Sequence, residues 1–558
     1  MEPSEPTRKQ ASVKPPFVRA GAGALGRYTA GLAPLFLVGT ALSLVVTAPQ
    51  ASAKVKTLYA YANGGAISPV NCPQTSTTAA QCTLSETLSK AAFGSTVALA
   101  TPGRSRHYVG NWAVSTPGTT SSAPLTIKPA PGVTKPTLDG NHGQPTGCRT
   151  KTCDGPVLTI GSKVHLDLVG VTIQNANNLG SGLGGAIENI RGGTLSVSHS
   201  TFLRNYASDD GGAIDNADIG GTGSLSVSHS TFSGNFALNC DGGAIANADI
   251  GGKGTVFVTA STFSGNSASN GNGGAIDSGD TGGQGSLIVL VSTFLGNVAA
   301  RAGAIDNADN ASGTLSVSSS TFSANVASLD DAGAIDNGDW GGSGTASVSA
   351  STFSGNETVG DGGAIDNADS MGTSRGTVLV SASTFSGNTA EAHGGGIDNS
   401  DAGGTGTVSV SASTFSGNKA NNIYGVHGAP GGGAIGGTGH GTVWAAANIF
   451  DGPCLRTGGT WNDAGYNIGS NGTCLRGAID DVDHGARWLG PLAYHGGPTE
   501  TMLPLKGNPA IGVIPYQTTV TLDHRSVSLC PAASQQGTRH GSKRHCAVLG
   551  VAQRRQPR

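Results

Sequence analysis

From residue 195 the chain reads Leu, Ser, Val, Ser, and this apolar/polar alternation returns every 28 to 32 residues as far as residue 411. Such alternation marks a half-buried strand, with Leu195 and Val197 on one face and Ser196 and Ser198 on the other. Five positions after each valine, from Val197 to Val410, stands a phenylalanine: Phe202, Phe232, Phe263, Phe294, Phe322, Phe353, Phe385 and Phe415. Each phenylalanine is followed three residues on by an asparagine, from Asn205 to Asn418. Further along comes "GGAI" or a variant, carrying Ile214, Ile245, Ile276, Ile305, Ile335, Ile365, Ile397 and Ile435. The valine-to-phenylalanine spacing never changes, whereas the distance from phenylalanine to isoleucine does. Insertions therefore fall in connections between strands.

One such unit cannot bury its own apolar face. Stacked units can, by setting Val on Val, Phe on Phe and Ile on Ile. The predicted fold is all-β, a parallel β-helix of roughly ten turns, each about 4.8 Å from the next, so the rod is on the order of 50 Å long. Helical solenoids do not fit, because Gly, Thr, Val and Ser occupy positions where a helix needs Ala, Leu, Glu and Lys. Asparagine after phenylalanine suits a turn in which its side chain bonds nearby backbone, and paired glycines permit a sharp corner. An open solenoid end exposes core and strand edges, so a cover is expected. "CTLSETLSKAAFG" supplies one: Thr83 and Glu86 form a capping box, Leu84, Leu88 and Ala91 an apolar stripe, and Gly94 a stop. "STVALA" then reads as the first strand, residues 95–190 as irregular early turns with Ile173 in the phenylalanine position, and the rhythm decays after Phe415. The expected division is an export signal at 1–53, a cap with irregular turns at 54–165, the repeats at 166–450 and a closing region at 451–558.

Composition supports this picture. Ninety glycines among 558 residues, with few charged or aromatic side chains, suit short strands and tight turns. Arg8, Lys9, Lys14, Arg19 and Arg27 precede the apolar run "LAPLFLVGTALSLVV" and then "APQASA", a secretory signal with cleavage expected after Ala53; an uncleaved anchor is the alternative. Nine cysteines fit an oxidising compartment. Eight are near neighbours in sequence, Cys72 with Cys82, Cys148 with Cys153, Cys454 with Cys474 and Cys530 with Cys546, leaving Cys240 over. No C-x-x-C pair or zinc-spaced histidine accompanies them.

The paired F-x-x-N and G-G-A-I phrases resemble the repeats of chlamydial-type polymorphic outer membrane proteins. "QCTLSETLSKAAFGSTVALA" at one end, with "GYNIGSNGTC" and "LGPLAYHGGPTETMLPLKGNPAIG" at the other, looks like the exported choice-of-anchor Q proteins of bacteria. This resemblance implies a right-handed β-helix of the pectin-lyase-like type, presented outside the cell. Two phrases depart from it: "SQQG" at Ser534 to Gly537 replaces the usual "DQRG", and "CAVLGVAQ" at Cys546 to Gln553 replaces the closing "CD-G-A" phrase. The same rod carries lyases, hydrolases and adhesins, so chemistry must be read from a site.

The formal charge of −3 conceals a segregation: residues 200–440 hold twenty-one acidic and five basic side chains. After each "GGAI" carboxylates fall in register. One column holds Glu188, Asp215, Asp277, Asp306, Asp336, Asp366 and Asp398, and a second holds Asp218, Asp249, Asp280, Asp309, Asp339, Asp369 and Asp401. The aspartates of these columns are candidate Ca2+ ligands, since Ca2+ prefers oxygen donors. As exposed columns they repel by only about 1 kcal/mol per neighbouring pair, so weak, non-essential binding is expected and no cofactor is required. No catalytic constellation is legible. Arg204, Lys253, Arg301, Arg375 and Lys419 fall in different repeats with no column in common, and carboxylate pairs on so acidic a face are nonspecific. His199 and His229 read as surface residues, the two G-x-G-x-x-G matches at Gly21 and Gly180 lack the context of a nucleotide site, and Arg539, His540, Lys543, Arg544 and His545 read as a solvated tail. The function expected is noncatalytic, adhesin-like binding of an extracellular polysaccharide or surface macromolecule, with no nucleic-acid partner and no membrane span in the mature chain. A secreted polysaccharide lyase or glycoside hydrolase is the alternative, and a passive spacer the second.

Overall fold

The computed structural model describes residues 56–62, 82–92, 94–100, 107–115, 120, 122–140, 155–178, 182–369, 373–400, 403–421, 432–437, 439–455, 459–486, 488–515, 518–529 and the strand His545–Cys546. The expected signal, Cys72, Cys148, Cys153, Cys530, Asp401, Gly180 and most of the basic tail lie outside these residues.

The fold is the predicted parallel β-solenoid of about ten turns. Each regular turn contributes to four parallel sheets, of fourteen, thirteen, nine and nine strands, the first two lengthened by the end turns. The long strand of each turn carries the alternating Leu/Val pair, as in Thr222–Ser228, the next the phenylalanine, as in Thr231–Ser233, then a two-residue strand such as Phe236–Ala237 and the isoleucine strand, as in Ile245–Asn247. Register is strict: Val227 pairs with Val258, Phe232 with Phe263, and Ile276 with Ile305. Ile173 pairs with Phe202, as the sequence suggests.

The phenylalanines form a continuous stack from Phe202 to Phe415 with ring centroids 4.5–4.9 Å apart. Phe450 extends it at 5.4 Å, so the rhythm runs one turn past Phe415 rather than decaying there. Every ring is fully buried, and each contributes about 2–3 kcal/mol by leaving water.

Beside the rings runs a buried asparagine ladder that corrects the expected local turn role. Asn297 Nδ2 donates to Oδ1 of Asn325 on the next turn at 2.9 Å and to the Phe263 carbonyl at 3.1 Å, while its Oδ1 accepts from the backbone N–H and Nδ2 of Asn266 at 3.1 and 2.9 Å. The same bonds recur from Asn205 to Asn418. A serine ladder marks the preceding corner, where Ser230 N–H donates to Ser261 Oγ and Ser261 N–H to Ser292 Oγ. At the corner before each isoleucine the first glycine is replaceable: Ala302 and Ala332 adopt φ of 51° and 59° there. The second is not, because a Cβ on Gly303 would lie 2.3 Å from the Gly333 carbonyl oxygen.

The cap is a helix, Leu84–Lys90, with the predicted capping box: Glu86 N–H donates to Thr83 Oγ1, and Thr83 N–H to Glu86 Oε2. The helix ends at Lys90 with Ala91 as its cap, before Gly94, which turns the chain afterwards with φ of 69°. "STVALA" is not the first strand, since Thr57–Tyr61 precedes it and pairs with Thr96–Ala100. At the other end the disulfide Cys454–Cys474 closes the core, Cys454 extending the isoleucine row beyond Ile435. Cys82 is also disulfide-bonded, and Cys240 is free, as expected. The closing region forms a second core around Ile449, Ile468, Ile514 and Leu522. It also runs back outside the rod, where Thr352 Oγ1 donates to the Glu500 carbonyl and Thr499 Oγ1 to that of Ala350. Among the described residues, no helix is long and apolar enough to cross a membrane.

Replacing Asn297 by Ala strands donors and acceptors on two neighbouring turns, each costing about 1–3 kcal/mol. Asn297→Ala should therefore lower the unfolding midpoint by far more than Ser316→Ala at an exposed position, measured by urea titration with circular dichroism.

Candidate functional site

The isoleucine strand reads Ile-Asp-Asn, and alternation turns its aspartate away from the core row of isoleucines. The structure stacks these aspartates in register, Asp277 on Asp306, Asp306 on Asp336 and Asp336 on Asp366, as the sequence predicts. Their expected exposure is wrong. Asp215, Asp277, Asp306, Asp336, Asp366 and Asp398 are completely or almost completely buried, and Glu188 nearly so. Of the second column, Asp218, Asp249, Asp309, Asp339 and Asp369 are also buried, and Asp280 is half-buried. The estimate of weak repulsion in water therefore does not apply.

What covers them is a third column that sequence reading missed. The residue immediately before each corner is Asp210, Asp241, Asn272, Arg301, Asp331, Asp361 and His393 in successive turns. The signal was there, at four positions before each isoleucine, but its changing residue type hid it. Carboxylates in this column are held by the next turn: Asp210 Oδ1 accepts from Asp241 N–H at 3.1 Å, Asp241 Oδ1 from Asn272 N–H at 2.6 Å, and Asp331 Oδ1 from Asp361 N–H at 2.7 Å. Second-column carboxylates accept from the N–H that follows them, as Asp249 does from Ile250 at 2.6 Å and Asp339 from Trp340 at 2.6 Å. Those following residues have φ near 40–50° and point a further column outward, in which Ile219, Ile250 and Trp340 are exposed.

The result is a trough of three converging columns. Within it neither oxygen of Asp215, Asp277, Asp336 or Asp366 accepts a hydrogen bond. Burial, reinforced by neighbouring carboxylates, raises Asp215, Asp241, Asp277, Asp306, Asp331, Asp336 and Asp366 well above the usual range. The same causes push Asp249 up to about 9, and burial, partly offset by hydrogen bonds, brings Asp210 to about 6.

The middle of the trough carries its own cation. Arg301 Nε donates to Asp330 Oδ2 at 3.0 Å, and its guanidinium lies 4.7 Å from the Trp340 ring centroid. Burial works against the arginine charge, but Asp330 outweighs it and raises the pKa. Asn272 Nδ2 donates to Asp309 Oδ2 at 2.8 Å, and His393 Nδ1 faces Asp361 Oδ1 at 3.0 Å. Arg301 and Trp340 line an open groove of about 370 Å³ with Asp280, Thr281, Asp309 and Asn310. A second groove, of about 400 Å³, crosses the long sheet and is lined by Lys253, Gln284 and small hydroxyl side chains.

One sequence expectation about bases changes. Lys253 and Arg375 do share a column, but Gln284, Ser312 and Ser343 separate them. His199 and His229 stack 5.0 Å apart on the exposed surface, as expected. Cys240 is half-buried, and burial with nearby aspartates pushes its thiol up to about 12. No known protein-family model matches the chain, and no curated protein is similar to it.

In the turn of Ile245 the first column is interrupted by Ala246, which is buried without disturbing the register. Asp336→Ala should therefore stabilise the protein in the presence of a chelator by about 1–3 kcal/mol, the cost of an unpartnered buried polar group. Melting curves of the two proteins in EDTA check this.

Proposed function

We propose that the protein is an exported, noncatalytic β-solenoid that binds glycans at or outside the cell surface through the groove of Trp340. The observation that carries this reading is an exposed tryptophan whose ring is fixed on one side by Arg301 and ringed by Asp280, Asp309, Thr281 and Asn310. An indole offers an apolar platform for a sugar ring, and carboxylates and amides accept or donate hydrogen bonds to hydroxyls. Sequence reading, seeing few aromatics apart from the buried phenylalanines, undervalued this face. The surrounding negative charge favours neutral or amino sugars over uronates. Support for export comes from the basic leader, apolar run and small-residue site before Lys54, and from a disulfide at the solenoid end. The likeness of the repeat phrases to polymorphic outer membrane proteins, and of both ends to choice-of-anchor Q proteins, agrees with a surface role.

The lyase reading needs a base in the groove. Arg301, its candidate, is held charged by Asp330 and by the tryptophan face, which suits binding rather than proton abstraction.

On a panel of neutral, amino and uronate polysaccharides the full chain should bind members of the first two classes and release no reducing or unsaturated ends. Trp340→Ala should weaken binding about tenfold, or ~1.4 kcal/mol, with an unchanged circular dichroism spectrum. Newly released ends, or binding indifferent to Trp340→Ala, would defeat the proposal.

A further inference from the structure

The trough answers its own charge unevenly. In its middle the column before the corner supplies Asn272 and Arg301, and in the turn of Ile397 it supplies His393, so donors or a cation of the protein stand among the carboxylates there. On either side of Arg301 that column supplies aspartate instead. In these places carboxylates gather in threes, Asp210 with Asp241 and Asp249, and Asp331 with Asp366 and Asp369, one oxygen from each residue lying within 4.8 Å of one from each of the other two, and all six residues are buried.

We propose that each triad holds one Ca2+ ion, giving the solenoid two intrinsic calcium sites, one on each side of Arg301. Two observations support the assignment. Asp366, inside the second triad, is fully buried with both oxygens unpartnered. Asp215, equally buried and unpartnered, stands beside the first triad and feels the charges of Asp210 and Asp249. Among hard divalent ions, Ca2+ accepts irregular oxygen coordination with bonds of about 2.3–2.6 Å, whereas Mg2+ requires a near-ideal octahedron with bonds of about 2.0–2.1 Å. An oxygen-only donor set of charge −3 suits a hard divalent ion, and neither triad contains a sulfur or imidazole ligand that would favour zinc.

The ions sit in the trough and not in the Trp340 groove, so the sites are independent of the glycan-binding reading. Neighbouring carboxylates outside the triads, such as Asp336 and Asp277, gain from the ions only through space.

The test is equilibrium dialysis of the full chain, stripped with EDTA and returned to Ca2+ at neutral pH, with bound metal measured directly and melting followed in parallel. The wild type should take up two Ca2+ per chain and melt at a higher temperature in Ca2+ than in Mg2+ at equal concentration. Asp366→Asn and Asp241→Asn should each reduce uptake to one, while Glu357→Gln, at an exposed carboxylate of the same repeats in neither triad, should leave it at two. Circular dichroism of each variant in EDTA establishes that the solenoid is intact. Uptake of no Ca2+ by the wild type would overturn the proposal and leave the triads held by shared protons. Uptake that survives both triad variants would overturn it equally, as diffuse attraction to an acidic surface.

Discussion

Everything in this molecule rests on the hydrogen bond from each buried asparagine to its counterpart on the next turn. Hydrophobic burial would tolerate sliding of one turn against another by two residues, which keeps the apolar alternation in phase. A buried amide does not, because any slip strands several polar groups away from water. The ladder thus fixes the register, and the register places ring on ring, isoleucine on isoleucine and, on the opposite face of the same strand, carboxylate on carboxylate. The acidic trough follows from the architecture that stabilises the rod.

A core secured in this way can carry an unfavourable element elsewhere. Stacked, buried carboxylates are far more expensive than the same groups in water, and among the described residues no run of basic side chains offsets them along this face. The protein offsets them in its middle with Arg301 and Asn272. The outward column that follows the trough places Trp340 beside that arginine, so the most compensated stretch of acid is also where the surface offers an aromatic platform.

The Val and Phe rows were legible because their spacing repeats without error, the Ile row because the phrase around it recurs, and the capping box because Thr83 and Glu86 stand three residues apart. The site was only half legible. The two columns following Ile were found by their constant residue type, but the third alternates among Asp, Asn, Arg and His and cannot be seen as a column until turns are superposed. Exposure was misread for a related reason: alternation says that Asp336 faces away from the core, and only the fold says that a corner of the same turn covers it. Trp340 was missed because one tryptophan among eight turns breaks no pattern, and the shared column of Lys253 and Arg375 because three turns intervene.

The asparagine ladder also has a direction. From Asn205 to Asn388 each side-chain amide gives one proton to the asparagine of the next turn and its oxygen receives one from the turn before, so these bonds run in one sense along the axis. A rod built this way is polar in the sense that a microtubule is polar: its two ends are not alike. Turns can be added or removed by duplication of a gene segment without disturbing the chain of bonds, but none can be inverted. Length is therefore free to vary between descendants of such a protein while orientation is not, and whatever meets the far end always meets the same one.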